Sequence, residues 1–182
     1  MSKLIRGSIT EGGSVVEDNS RTLSTEDELI ALLEKPSADS TMIVPLALWQ
    51  AHRERLLDTA NRIQLGVLLG PTDDPASIAQ DVDRLAVVTV GFPKAGDGRG
   101  FSIGRLLRER YRFRGELRAV GDVQRDQMYY MLRCGFDSFA LAASSNTDRD
   151  IETALTAYRD FSVSYQTAAD QPLPLFRRRM AA

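Results

Sequence analysis

Five short apolar runs recur along this chain, MIVPLAL, IQLGVLL, AVVTVGF, ELRAVG and SFALAA, and the stretches between them carry apolar residues at helical spacing. Strands wetted on one face alternate apolar and polar side chains, whereas near-continuous runs mark strands covered on both faces. The unit repeats about every 22 residues, stretched once to about 30 by a glycine-rich loop, which suits a strand followed by a helix. The pattern predicts an α/β fold with about five parallel strands alternating with helices. Two architectures satisfy it, an open doubly wound sheet and an incomplete (βα) barrel. The second leaves a raw sheet edge, and with it comes the expectation of a homodimer.

The helical stretches are read from their stripes and caps. Pro75 to Leu85 carries Ile78, Val82 and Leu85 behind Asp74 as N-cap, with Pro75 at the first helical position. Ser102 to Tyr111 carries Ile103, Leu106, Leu107 and Tyr111. The next helix opens at Asp122, carries Val123, Tyr130, Met131 and Cys134, and ends at Gly135. The last carries Ile151, Leu155, Tyr158, Phe161 or Ser162, and Tyr165. Residues 1–36 read as an N-terminal appendage. In it a hairpin of KLIRGSI and SVVEDN turns about TEGG, and a helix in STEDELIALLEK is capped by Ser24 and Asp27 and stopped at Pro36. Residues 37–168 form the α/β domain. Residues 169–182 form an extended tail, where Pro172 and Pro174 precede Arg177, Arg178 and Arg179. This tail is expected to be disordered or to dock as an arm.

Composition narrows the function. A net charge of -2 argues against a general nucleic-acid binder. The apolar runs are too short to span a membrane, and MSKLIRGSIT has no signal-peptide core, so a cytoplasmic location is expected. The single cysteine, Cys134, rules out an internal disulfide framework and reads as a small core residue. One cysteine and one histidine, His52, cannot build a Cys/His zinc site or the usual thiolate cage of an iron–sulfur cluster. His52 sits in WQAHRERLL, a solvated helical face, and not in a catalytic triad.

Ligands of parallel α/β folds gather where strands end and helices begin. Four such mouths are LLGPTDDP, GFPKAGDGRGFS, AVGDVQRDQ and LAASSNTDRD. From Phe92 to Arg118 there are eight cations, Lys94, Arg99, Arg105, Arg108, Arg110, Arg112, Arg114 and Arg118, against Asp97, Glu109 and Glu116. The segment holds +5 and the rest of the chain -7. Arg105, Arg108 and Arg112 read as a solvated helix face. Lys94 and Arg99 flank a helix N-terminus instead. With Gly96, Asp97, Gly98, Gly100 and Ser102 they form a candidate site for an oxyanion or for a partner's acidic surface. Arg118, inside a strand, has to pair with Glu116, Asp122 or Asp126 or else reach a ligand. Asp122 reads as an N-cap that can line the same pocket, and Gln127 as a buried hydrogen-bonding group. GDGRG matches neither the dinucleotide fingerprint nor the phosphate loop of nucleotide triphosphatases, and no cofactor motif is evident.

The block FPKAGDGRGFSIGRLLRERYRFRGELRAVGDVQRDQMYYMLRCGFDSF, residues 92–139, resembles a bacterial family called domain of unknown function 934. The resemblance is sharpest in DGRGFS, GELRAVGDV, DQ and RCGFD, and extends to the PLPLFRRR ending. The family is described as a probable oxidoreductase involved in sulfite reduction, and its members are typically encoded with the sulfite reductase haemoprotein. The resemblance implies an accessory protein of assimilatory sulfite reduction, serving cysteine biosynthesis by binding that haemoprotein or an electron-transfer partner. It brings no catalytic residues with it, so whether the chain is itself an enzyme stays open. The alternative is a small oxyanion-binding enzyme or sensor, for sulfite, sulfate or a phosphate ester, built on loop 91–102. A flavin- or nicotinamide-dependent enzyme is the third reading.

Overall fold

The computed structural model describes residues 3–8, 11–35, 40–94, 96–141, 148–156, 158, 167–169 and 171–180. Strand β1 (Lys3–Ser8) turns into β2 (Gly12–Glu17), and β3 (Ser20–Thr22) leads to helix α1 (Glu26–Glu34). Then follow β4 (Thr41–Pro45), α2 (Leu46–Thr59), β5 (Leu65–Leu69), β6 (Val87–Phe92), α3 (Arg99–Glu109), β7 (Glu116–Gly121), α4 (Arg125–Arg133), β8 (Ser138–Phe139), α5 (Asp148–Thr156) and α6 (Leu175–Met180).

The strands form one eight-stranded sheet in the order β2-β1-β8-β7-β6-β5-β4-β3. Strands β3 to β8 run parallel, while β1 lies antiparallel to both β8 and β2. The expected count of about five parallel strands is therefore low. The hairpin is also part of the main sheet and not an appendage to it. The order also separates the two architectures. Sequential parallel strands joined by right-handed crossovers place the connecting helices on the same face, so the sheet is singly wound. Its opposite face has to close on itself. Only Asp18 and Asn19 separate β2 from β3, the two ends of the sheet. Three peptide units reach at most about 11 Å, which draws the two edges together. The result is a curled half-barrel.

Residues in register share a face of a sheet. Val67, Val88, Val90, Leu117, Ala119 and Phe139 face the helices and pack with Trp49, Leu107, Met128 and Met131 in the main core. On the concave side Leu4, Ile43 and Val87 are buried but lie apart from that core. A Cβ at Gly66 would stand 2.2 Å from Val87 Cγ1, so the tight bore requires glycine there.

Several local expectations shift by a register or a helix type. Strand β4 ends at Pro45, whose φ of -56° and extended ψ open α2 at Leu46. MIVPLAL is thus half strand and half helix. The α1 cap is Thr25, whose hydroxyl accepts the Glu28 N–H, while Glu28 reaches back to Ser24 N–H at 2.7 Å. The box is one residue later than Ser24 and Asp27 suggested, and Pro36 lies outside the described residues. Residues 75–85 form two 3₁₀ turns, Pro75–Ile78 and Val82–Arg84, in place of one helix. Between the turns lies buried Asp81, gripped by Arg53 at 2.5 and 2.8 Å. The tail is helical over Leu175–Met180, where the expectation was an extended segment. Pro174 O accepts the Arg177 and Arg178 N–H groups, a helix-opening role that suits proline. Phe161, Ser162, Tyr165 and most of LAASSNTDRD lie outside the described residues.

Candidate functional site

The glycine-rich loop leaves β6 at Phe92 and enters α3 at Arg99, the strand-to-helix mouth that the sequence indicates. Its backbone turns through an Asp97 N–H to Lys94 O bond of 2.9 Å. Lys94 is exposed and makes no salt bridge among the described residues, although its charge helps to hold the Asp97 carboxyl down. Arg99 is also exposed, yet Asp97 engages it with both oxygens, at 2.9 Å to Nε and 2.6 Å to Nη2, and accepts the Arg99 N–H as well. The guanidinium holds the Asp97 carboxyl down at about 2. One of the two expected anion-binding cations is therefore neutralised within the loop.

The glycines have different reasons to be there. A Cβ on Gly100 would stand 2.6 Å from Phe92 Cζ, so this glycine makes room for an aromatic ring. Gly96 meets nothing within 4 Å, and Gly98 supplies the uncapped N-cap position of α3. Ser102 is exposed on the first turn of that helix.

Asp122 lies beside this mouth, because its N–H donates to Phe92 O at 2.7 Å. Its carboxylate accepts Gln124 Nε2 at 2.6 Å and does not cap α4. The cap is Gln124 itself, paired reciprocally with Gln127, which explains the inward-facing Gln127. Arg118 lies elsewhere, on the concave face toward the opposite end of β7. It is 5% exposed and bonded to Glu116 at 2.8 Å, Ser20 Oγ at 2.6 Å and Asp18 at 3.2 Å. Of the expected partners only Glu116 is used, and Arg6 grips the same carboxylate from β1. Burial lowers the Arg118 pKa, and Asp18 opposes that effect. The expected site thus divides into a solvent-facing group, Lys94–Ser102 with Asp122, and an interior charge chain around Arg118.

Two features of the basic segment escaped the sequence pattern. Arg108, expected in solvent, is largely buried. It donates to the carbonyls of Gly135, Phe113 and Gly115, each at 2.8 Å, and to Asp137 at 2.7 Å. The hint was RCGFD, an acid among small and apolar residues at the end of a helix. The second is the α3–β7 turn, where Arg110, Arg112 and Arg114 are all exposed and none pairs with a described carboxylate. Cys134 is buried, and burial pushes its thiol pKa up, as a core residue requires. His52 is mostly covered at a kink in α2, with Nε2 2.9 Å from Glu26 Oε1. Among the described residues no three His, Cys, Asp or Glu side chains converge, and no helix is long and apolar enough to cross a membrane.

A family model described as a bacterial protein of unknown function (DUF934) matches residues 66–176, from within β5 into α6. No curated protein matches the chain. The matched span holds the glycine loop, Arg108, Arg118 and Asp137, and omits Arg6, Asp18 and Ser20.

Proposed function

We infer a function from a premise of kinship: this chain belongs to the DUF934 family. It serves assimilatory sulfite reduction in the cytoplasm as an accessory protein that docks on the sulfite reductase haemoprotein or on an acidic electron-transfer partner. The observation that carries this reading is the outer side of α3 with its two flanking turns. Lys94 stands exposed at one end, and Arg110, Arg112 and Arg114 stand exposed at the other without described carboxylate partners. In a chain of net charge -2, these cations concentrate positive potential along α3 and its two turns. Charged patches of this kind steer encounter and select partners more than they add affinity. The rival reading, an oxyanion held by Lys94, Arg99 and the loop glycines, has less support because Asp97 already occupies Arg99.

Co-purification from native lysate at low salt tests the docking, with the haemoprotein identified by mass spectrometry. Binding should weaken as salt screens the stripe, and Lys94→Glu with Arg110→Glu should reduce it roughly tenfold or more. A low-salt eluate that holds neither the haemoprotein nor an acidic electron-transfer protein would remove this reading.

A further inference from the structure

The α3–β7 turn borders a cavity of about 350 Å³ at the end of the sheet where β7 and β8 begin. Its walls include Phe113, Leu132 and Phe136, all deeply buried, with Ala169 of the C-terminal segment completing them. The packed core therefore shapes these walls. Arg108 and Asp137 also line it, but each is committed to the other. Asp137 accepts Arg108 on one oxygen and the Leu117 N–H, at 2.9 Å, on the second.

Arg112 and Arg114 line the same cavity, and their side chains hydrogen-bond to no described residue. Two positive charges thus stand without an ion-pair partner beside a cavity whose inner walls are part apolar. Arg112 also has φ 57°, in the left-handed region where glycine sits without strain. A long cationic side chain is held at this position against the backbone preference.

We propose that this cavity binds a phosphate monoester with a compact apolar body. A phosphate monoester carries about -1.5 to -2 charges near neutrality, which matches the two free guanidinium groups. Guanidinium forks suit phosphoryl oxygens in geometry as well as charge. The volume lies at the low end of small-molecule sites, about 300–1,000 Å³, so the body is of single-ring size. This goes beyond the docking reading, which counts Arg112 and Arg114 in its basic stripe, by giving those two residues a small-molecule ligand of their own.

Amide NMR of the full chain tests the site, with phenyl phosphate as probe and inorganic phosphate and benzoate as comparators. Phenyl phosphate should give saturable shifts at Phe113, Gly115, Phe136 and Ala169. Inorganic phosphate lacks the body and benzoate the second charge, so each should bind roughly tenfold more weakly or worse. Arg112→Gly relaxes the backbone, so it should keep or raise the Tm while weakening phenyl phosphate roughly tenfold or more; Arg114→Gln should weaken it similarly. Lys94→Glu should leave the affinity unchanged. A double Arg112→Gly/Arg114→Gln variant that binds like the wild type would overturn the proposal. Shifts located away from the cavity, or inorganic phosphate or benzoate binding as tightly as phenyl phosphate, would do the same. A failed haemoprotein co-purification would not bear on this titration, and a failed titration would leave the docking reading standing.

Discussion

The guanidinium of Arg108, on α3, lies 2.7 Å from the carboxylate of Asp137, just ahead of β8. This contact joins the last turn of one helix to the start of a strand three elements later. Four acceptors surround Arg108, three of them backbone carbonyls. Arg108→Ala should therefore cost about 1.5–3 kcal/mol, the range for hydrogen bonds to a charged group, because the Asp137 carboxylate is itself partly exposed. Arg108→Lys should recover little, since an ammonium cannot reproduce the planar fork. Urea unfolding of the three proteins measures both effects. A loss below about 1 kcal/mol for the alanine variant, as for a surface pair, would contradict this account.

Within the glycine loop, two substitutions of the same kind should have opposite consequences. Gly100→Ala forces a methyl group against the Phe92 ring, which also packs edge-on against Phe101 and Phe136. The ring has to move, and overpacking of this sort costs about 1–3 kcal/mol. Gly96→Ala meets open space at a residue without positive φ, so it should be neutral or stabilise by up to about 1 kcal/mol. Thermal unfolding of the two variants separates a packing glycine from a merely flexible one.

The strands β6 and β7 were legible because continuous apolar runs identify them, and ELRAVG is β7 residue for residue. The α3 stripe was legible for the same reason, with Ile103 and Leu107 buried. The curl that brings the two sheet ends together was not. It depends on β3, a three-residue strand with no apolar run, and on Asp18 meeting Arg118, with 100 residues of sequence separation. Periodicity reports local geometry and is silent on which edges meet. The 3₁₀ turns at 75–84 show a related limit, since a helical stripe of Ile78 and Val82 is buried without an α-helix beneath it. For the candidate site, the location of the glycine mouth was readable, and so was the need for Arg118 to pair. That Asp97 neutralises Arg99, and that Arg108 turns inward, follows from side-chain placement that spacing cannot encode.

The Asp97–Arg99 pair sets a pH dependence for the loop. Its carboxyl sits at about 2 in the folded chain against an ordinary 3.8. A carboxylate with a depressed folded pKa stabilises the fold above its unfolded value, and that contribution is lost as pH falls through the folded value. The loop should thus hold its conformation down to pH 3.8 and release Arg99 between there and about 2. Carboxyl-carbon NMR titration should place the Asp97 midpoint near 2, and Arg99→Gln should return it toward 3.8. An unshifted midpoint in the variant would show that another group holds the carboxylate down.

Arg118 and Asp18 should behave as a clasp on the curled sheet. Asp18 lies between β2 and β3 and also accepts the Ser20 N–H and hydroxyl, at 2.9 and 2.6 Å. Arg118→Met would leave Asp18 and Glu116 with a buried cation missing, although Arg6 still serves Glu116. The expected loss is about 3 kcal/mol, toward the low end for a broken buried pair. Asp18→Asn should cost less, because the amide keeps an oxygen for Arg118 and Ser20. Since the two residues touch, the double variant should lose less than the sum of the singles, by about 0.5–3 kcal/mol. Hydrogen exchange locates the damage: protection should fall first in β3, whose pairing with β4 is only three residues long, while β6 and β7 keep theirs. Additive losses, or exchange that quickens evenly across the sheet, would mean that the edges are held by the hairpin and not by this pair.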